Sequence, residues 1–302
     1  MKNRMCIQGK FIVFMDIKKG KSMIGKLYLC ATPIGNLEDI TLRVLKTLKE
    51  VDLIAAEDTR HTIKLLNHFD IKTPMTSYHE FNKIDKAVYL VEQMKNGISV
   101  ALVTDAGTPA ISDPGEELVK QCYEAGVEVT SLPGPAACIT ALTLSGLSTR
   151  RFCFEAFLPT DKKDKQRILK ELENETRTII LYEAPHRLKK TIEELHSSMG
   201  DRRFTLCREL TKKFETVYQT TFSKALEKLA ETDVKGECVL VIEGRSPKDI
   251  EEEKIKEWKL LSIKEHLEYY ISQGTEKKEA MKLVAKDRGT TKREIYQALL
   301  EN

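Results

Sequence analysis

The sequence predicts a two-domain α/β protein with a small helical unit at its C-terminal end, and three observations carry that prediction. Short apolar runs alternate with segments of helical period from residue 26 to about residue 245. Six of the nine prolines (Pro33, Pro109, Pro114, Pro133, Pro135 and Pro185) follow those runs, where a fixed φ and a missing N–H preset a loop backbone. From Ser262 onward only helical period remains. A length of 302 residues suits two domains at the usual ~150 residues each, and 41% hydrophobic content gives each a core. The expected layout is a flexible extension over 1–25, α/β domains over 26–147 and 148–245, and a linker with a helical tail over 246–302.

Leu27–Ala31 reads as the first strand and runs into the loop Thr32-Pro33-Ile34-Gly35. Thr41 caps a helix carrying Val44, Leu45 and Leu48. Val51–Ala56 is a strand that ends in five polar residues, Glu57-Asp58-Thr59-Arg60-His61, and a helical stripe of Ile63, Leu65, Leu66 and Phe69 follows. Pro74–Asn82 reads as irregular, and Ala87, Leu90, Val91 and Met94 line the next helix. Val100–Val103 is apolar throughout, as a strand covered on both faces requires. The loop Asp105-Ala106-Gly107-Thr108-Pro109 follows it, and Asp113-Pro114-Gly115 bends the chain into a helix over Glu116–Ala125. Gly126–Leu132 is a strand ending in Pro133-Gly134-Pro135-Ala136-Ala137. Ligands of open α/β sheets bind outside the carboxyl ends of the strands, so these loops form the candidate pocket.

In the second domain, strands are expected at Phe152–Leu158, Arg177–Tyr182, Phe204–Arg208, Phe214–Thr221 and Cys238–Glu243. Helices are expected at Asp164–Glu173, Arg187–Ser197 and Lys224–Glu231. Ser246–Ile255 is acidic and linker-like; beyond it Ser262 caps one helix, Gly289 ends another, and Thr291 with Glu294 forms a capping box before the last.

Charge and cysteines exclude several function classes. The net charge is +3, but residues 1–22 carry six Lys or Arg against Asp16, and removing that +5 leaves −2 for the rest. Overall charge therefore gives no argument for nucleic acid. No apolar run approaches the ~20 residues of a membrane helix, so no membrane partner and a cytoplasmic location are expected. The seven cysteines form no C-x-x-C pair and read as buried free thiols. No His, Asp or Glu grouping has metal spacing, so no metal is expected, and no G-x-G-x-x-G follows a strand. Loops of Asp, Gly, Thr and Pro offer carbonyl oxygens and a carboxylate, which suit a sulfonium cation or a ribose better than a triphosphate.

Five segments, ATPIGNLEDIT (31–41), AAEDTRHT (55–62), DAGTPAISDPG (105–115), LPGPAA (132–137) and YEAPHR (182–187), resemble the ribosomal RNA small subunit methyltransferase I family. Its members are tetrapyrrole-methylase-like (class III) enzymes. The resemblance implies two α/β domains with S-adenosylmethionine in the cleft between them, and 2′-O-methylation of a decoding-centre cytidine of 16S rRNA. By the same likeness, Pro33, Asp105, Ala106, Gly107, Ala110, Ile111, Ala136, Ala137, Tyr182, Glu183, Gly236, Glu237 and Cys238 match positions that line the donor site. The partners expected are 16S rRNA within the small subunit and a second copy of the chain in a homodimer. Glu57, Asp58, Arg60 and His79 are the catalytic candidates: Asp58 or Glu57 as base or hydroxyl-orienting group, Arg60 as a phosphate contact. One departure stands out. The family commonly shows Y-H-E-H-N, and here Phe81 replaces the second histidine, so no imidazole base is available at that position. The rival enzyme reading, methylation of a tetrapyrrole, would lead one to expect a G-G-D-P type loop where this chain has Asp105-Ala106-Gly107-Thr108. A non-enzymatic rival is an RNA-binding assembly factor that keeps the fold.

Overall fold

The computed structural model describes residues 6–7, 10–11, 24–231 and 234–300. The expected flexible extension over 1–25 lies almost wholly outside them; within it, Cys6–Ile7 (β1) and Lys10–Phe11 (β2) pair antiparallel. The chain divides into two compact units between Ala137 and Cys138.

The first unit holds a five-stranded sheet of order β5-β4-β6-β3-β7, with β3 at Lys26–Cys30, β4 at Leu53–Ala56, β5 at Met75–Ser77, β6 at Val100–Val103 and β7 at Glu128–Leu132. Every pairing is parallel. Helices α1 (Leu42–Glu50), α2 (Thr59–His68), α3 (Lys83–Lys95) and α4 (Gly115–Glu124) connect the strands. Successive strand residues point to opposite faces and find a core on each. Leu27, Leu102, Leu90, Met94 and Leu118 pack in one cluster, and Ile54, Ala101, Val103, Val44, Leu48 and Leu66 in the other. Two covered faces explain why β6 tolerates no polar residue. Thr41 caps α1, its hydroxyl accepting from the Val44 N–H at 3.2 Å. Part of the expected irregular segment is instead strand β5, three residues too short to show a period, fixed by the pairing of Ile54 with Met75 and Ala56 with Ser77.

The second unit opens with α5 (Ala137–Leu144), whose first residue closes the first unit. Its sheet has the order β11-β10-β12-β9-β8, with β8 at Phe152–Phe157, β9 at Thr178–Glu183, β10 at Arg203–Arg208, β11 at Thr216–Thr221 and β12 at Cys238–Ile242. Only β8 and β9 run parallel, so the sheet is mixed. Helices α6 (Lys162–Leu172), α7 (Pro185–Met199) and α8 (Phe222–Glu231) supply Leu169, Leu188, Ile192, Leu195 and Phe222 to a core with Leu181, Phe204, Leu206 and Leu240. The unit boundary falls ten residues before the 147/148 junction read from the sequence. The reason is that the end of α5 is tied into the second sheet: the Ser145 carbonyl accepts from Thr205 Oγ1 at 2.9 Å and from Gln219 Nε2 at 3.1 Å.

The linker expected from residue 246 is corrected by a helix, α9 (Pro247–Leu260). Its composition reads as linker because it buries no residue, yet Ser246 at the N-cap, Pro247 in the first turn and Asp249 near the positive helix end all favour a helix start. Helices α10 (Ile263–Ser272), α11 (Lys277–Asp287) and α12 (Lys292–Leu300) follow, with Leu267, Ala280, Val284, Ala285 and Ile295 as their core. Both expected caps form: Ser262 with Glu265, and Thr291 with Glu294.

His266 ties α9 to α10 and α11. Its ring stacks on Trp258 with centroids 3.9 Å apart, Nδ1 accepts from Arg288 Nε at 3.1 Å, and Nε2 lies 3.3 Å from Asp287 Oδ2. Tyr270 also donates to that carboxylate. Burial first and Arg288 second push the imidazole pKa down, against the pull of Asp287. The unfolded chain therefore binds a proton at pH values where the folded tail does not. Stability contributed by this group is present above its unfolded pKa of about 6.5 and is lost as pH falls through the lower folded value. Trp258, the one tryptophan of the chain, reports on the stack. Its thermal transition should move to lower temperature between about pH 7 and pH 5, and His266→Gln, which keeps an acceptor but does not titrate, should abolish that dependence.

Candidate functional site

The loops at the carboxyl ends of β3, β6 and β7 are tied into one rim. Thr32 and Gly107 exchange backbone hydrogen bonds of 2.9 and 3.0 Å, and Thr32 Oγ1 donates to the Thr104 carbonyl at 3.1 Å. Thr108 Oγ1 donates to the Pro135 carbonyl at 2.9 Å. A Cβ on Gly134 would lie 2.6 Å from the Ala31 Cβ, so only glycine lets the β7 loop close on the β3 end. Gly107 sits at φ +86°, in the region glycine enters without steric cost. The rim therefore holds Pro33, Asp105, Ala106, Gly107, Ala110, Ile111, Ala136 and Ala137 on loops that constrain one another.

Asp113 is the organiser that the candidate residues omit. Its carboxylate accepts from the N–H groups of Ala110 at 3.0 Å, Ile111 at 3.0 Å and Gly115 at 2.7 Å. Those bonds hold Ala110 and Ser112 at φ +66° and +62°, conformations that cost L residues energy unless their surroundings fix them. The D-P-G signature at 113–115 was a visible signal, since aspartate commonly accepts from its own turn backbone. Asp113→Asn leaves a neutral amide whose single oxygen cannot serve all three donors. We expect it to weaken methyl-donor binding by at least ~10-fold, consistent with ~1.5–3 kcal/mol for a hydrogen bond to a charged group; isothermal titration calorimetry on the folded variant measures it.

The β4 loop joins the same rim. Asp58 N–H donates to Asp105 Oδ1 at 3.2 Å, and Asp105 N–H is 3.4 Å from Glu57 Oε2. Glu57 is half-buried, and its pKa is raised, first by burial and further by the Asp105, Asp113 and Asp58 carboxylates, against one backbone hydrogen bond. Asp58 is different. It is the N-cap of α2, Oδ1 accepting from the Arg60 N–H at 2.8 Å, and Arg60 grips it with Nε at 3.1 Å and Nη2 at 2.7 Å. The Arg60 hydrogen bonds hold its carboxyl well below the usual range. Arg60 itself is largely exposed. His79 stands at the end of β5, which pairs with β4 in the same direction, so it shares the carboxyl edge of the sheet with Glu57. Asn82 braces it through the His79 N–H at 2.9 Å, and His79 Nδ1 is buried with no hydrogen-bond partner among the described residues.

The second-unit candidates also gather, at the neighbouring ends of β9 and β12, where Glu183 pairs with Cys238. Tyr182 Oη accepts from the Cys138 N–H at 3.0 Å, with the Phe154 and Phe157 rings against it. Glu183 is 2% exposed, and both of its oxygens are engaged, by Thr191 Oγ1 at 2.6 Å and by Ala184 N–H at 2.8 Å, with Arg187 Nε at 3.3 Å. Its carboxylate fastens the start of α7, leaving its backbone as the part a ligand could meet. Gly236 has φ +86°, and a Cβ there would collide with the Glu209 carboxylate. The Glu237 N–H donates to Glu209 Oε1 at 2.9 Å. Cys238 is buried.

Among the described residues no His, Cys, Asp and Glu group is placed to hold a metal ion, and no helix is long and apolar enough to cross a membrane. Residues 26–226 match the family model of tetrapyrrole (corrin/porphyrin) methylases. The chain is 49% identical over 272 residues to a protein of Halalkalibacterium halodurans named ribosomal RNA small subunit methyltransferase I, covering 90% of this chain and 93% of that one. The Bacillus subtilis protein of the same name is 48% identical over 279 residues, covering 92% and 95%. Solved structures of diphthine synthase (TM-score 0.59, 16% identity, 72% of this chain and 90% of that one) and of Thermus thermophilus uroporphyrin-III-C-methyltransferase (TM-score 0.52, 20%, 72% and 94%) share the fold. The parallel first sheet, the rim of preset loops at its carboxyl edge and these likenesses agree: the chain belongs to the tetrapyrrole methylase family of S-adenosylmethionine-dependent methyltransferases, in its ribosomal RNA small subunit methyltransferase I branch.

Proposed function

We propose that this protein methylates 16S rRNA, transferring a methyl group from S-adenosylmethionine to the 2′-hydroxyl of a decoding-centre cytidine, and that it works in the cytoplasm as a homodimer on the small ribosomal subunit. The observation that carries this reading is near-50% identity, over nine-tenths of the chain, to proteins named ribosomal RNA small subunit methyltransferase I. The rim supports the donor. Gly107 at φ +86° lets the β6 loop turn back against Thr32, and the residues it leaves exposed, Asp105 and Ala106, include a carboxylate, which favours a cation. When bound, S-adenosylmethionine supplies an electrophilic methyl group on a positively charged sulfur.

The chain's own residues then have to hold and deprotonate the acceptor. A ribose hydroxyl is a weak nucleophile until its proton is being removed. Glu57 is the residue for that step: half-buried, at the rim, with a carboxyl pKa raised by burial. Its carboxylate takes the 2′-hydroxyl proton as the oxygen attacks, and the pKa shift makes it a stronger base than an ordinary carboxylate. Asp58 has the opposite character, since a carboxyl held low by Arg60 is a poor proton acceptor. We assign it to capping α2 and to orienting Arg60, whose outward guanidinium edge meets a phosphate of the RNA. Asp58→Asn should then turn over within about threefold of wild type, because asparagine caps a helix nearly as well as aspartate; a single-turnover assay checks it.

The test of the function is a strain lacking the gene. Mass mapping of its 16S rRNA should show one cytidine ribose short of a methyl group, restored by the wild-type gene. An unchanged map would remove the assignment.

A further inference from the structure

The loop Glu209–Glu215, joining β10 to β11, is strained and braced at once. Glu209 and Thr211 hold φ at +51° and +65°, where non-glycine residues persist only if their surroundings fix them. The bracing is explicit. Glu209 N–H donates to the Glu237 carbonyl at 3.0 Å, Thr211 N–H to Glu215 Oε2 at 2.6 Å, and Glu215 N–H to the Lys212 carbonyl at 3.1 Å. Lys212 Nζ lies 3.0 Å from Glu209 Oε1 and 3.3 Å from Glu237 Oε2. The local acids are therefore engaged within the loop. What the loop presents outward is Phe214, 72% exposed, with the Lys213 ammonium 5.6 Å from its ring centroid.

Neither residue serves the core, and a rigid loop that holds a phenyl ring in water is built for a partner. Beneath it, Arg208 Nε and Thr211 Oγ1 are buried without a hydrogen-bond partner among the described residues, which in a native fold asks for an explanation. A cation beside an exposed aromatic ring matches the two recurring features of single-stranded RNA: a π-face to stack on and a phosphate next to it. We infer that Glu209–Glu215 is an RNA contact, in which Phe214 stacks on an unpaired base and Lys213 meets the adjoining phosphate. This rests on the reading of the protein as an rRNA methyltransferase and adds a contact outside the loops assigned to the donor and the proton transfer.

The test uses the full chain, with 16S rRNA lacking the methyl group, free and in small subunits. Phe214→Ala should raise KM by about 5- to 100-fold, the range for loss of one stacked base, with kcat at saturation and donor affinity unchanged, and Phe214→Trp should restore it. Lys213→Ala should lower the salt dependence of binding by about one phosphate contact. A photoreactive phenylalanine analogue at position 214 should crosslink to 16S rRNA. Wild-type KM in Phe214→Ala, or a crosslink to a ribosomal protein in place of RNA, overturns the inference. Failure of methyl transfer by the wild-type protein, with the RNA crosslink still formed, would sink the proposed reaction and leave this contact standing.

Discussion

Gly107→Val is expected to abolish S-adenosylmethionine binding, weakening it by at least ~100-fold, in a protein that still folds. The glycine holds φ +86°, and its backbone is clamped to Thr32 on both its N–H and its carbonyl. A β-branched residue strongly disfavours that conformation. Its Cβ would also stand 3.4 Å from Ile34 Cγ2 and 3.6 Å from the Pro135 carbonyl, leaving no room for two further methyl groups on that side. The loop must then move, and the Thr32 and Thr108 ties move with it. Gly107→Ala should lose less, because alanine adds strain without the branched bulk. Titration calorimetry, with circular dichroism to establish folding, gives the answer; unchanged donor affinity in folded Gly107→Val would remove the donor from this rim.

Glu57→Gln should lower single-turnover methylation by ~10²–10⁴-fold while leaving donor and RNA affinity near wild type, the range for loss of a general base. The pH dependence supplies a second readout. Because the Glu57 pKa is raised in the folded protein, the wild-type rate should climb with pH through a value above the ordinary carboxylate range, where the base loses its proton. In Glu57→Gln that limb should vanish, leaving only the rise from hydroxyl ionisation. Asp58 cannot produce such a limb, since Arg60 keeps it ionised well below the pH of any assay. A profile unchanged by Glu57→Gln would exclude it as the base.

The sequence made the first unit legible because its signals are local. Prolines and glycines after apolar runs marked the rim, and the uninterrupted apolar run Val100–Val103 marked a strand buried on both faces. Thr41, Ser262 and Thr291 announced their helices through cap chemistry that acts within four residues. What was hidden depends on distance in space. Asp58 and Glu57 are adjacent acids in the sequence, and only the fold shows one clamped by Arg60 and the other half-buried among carboxylates. Strand β5 has three residues and is specified by β4, not by its own pattern. Helix α9 buries nothing, so it carries no apolar period to read. Glu183 looked like a site carboxylate in YEAPHR, yet Thr191, eight residues on and nearly two helix turns inside α7, takes one of its oxygens. Arg208–Glu215 carried its basic and aromatic residues in plain view, but the positive φ values and the unpartnered donors that set it apart are properties of the backbone and of burial.

The most direct test of the central claim is transfer of a labelled methyl group from S-adenosylmethionine by the purified protein to small subunits or 16S rRNA prepared without the modification, followed by digestion to nucleosides and mapping of the label. The account predicts label on the ribose of a single decoding-centre cytidine, in the wild type and in Asp58→Asn, and a rate lower by ~10²-fold or more in Glu57→Gln. Label on a base, label at a different nucleotide, or transfer to a tetrapyrrole and not to RNA would contradict it.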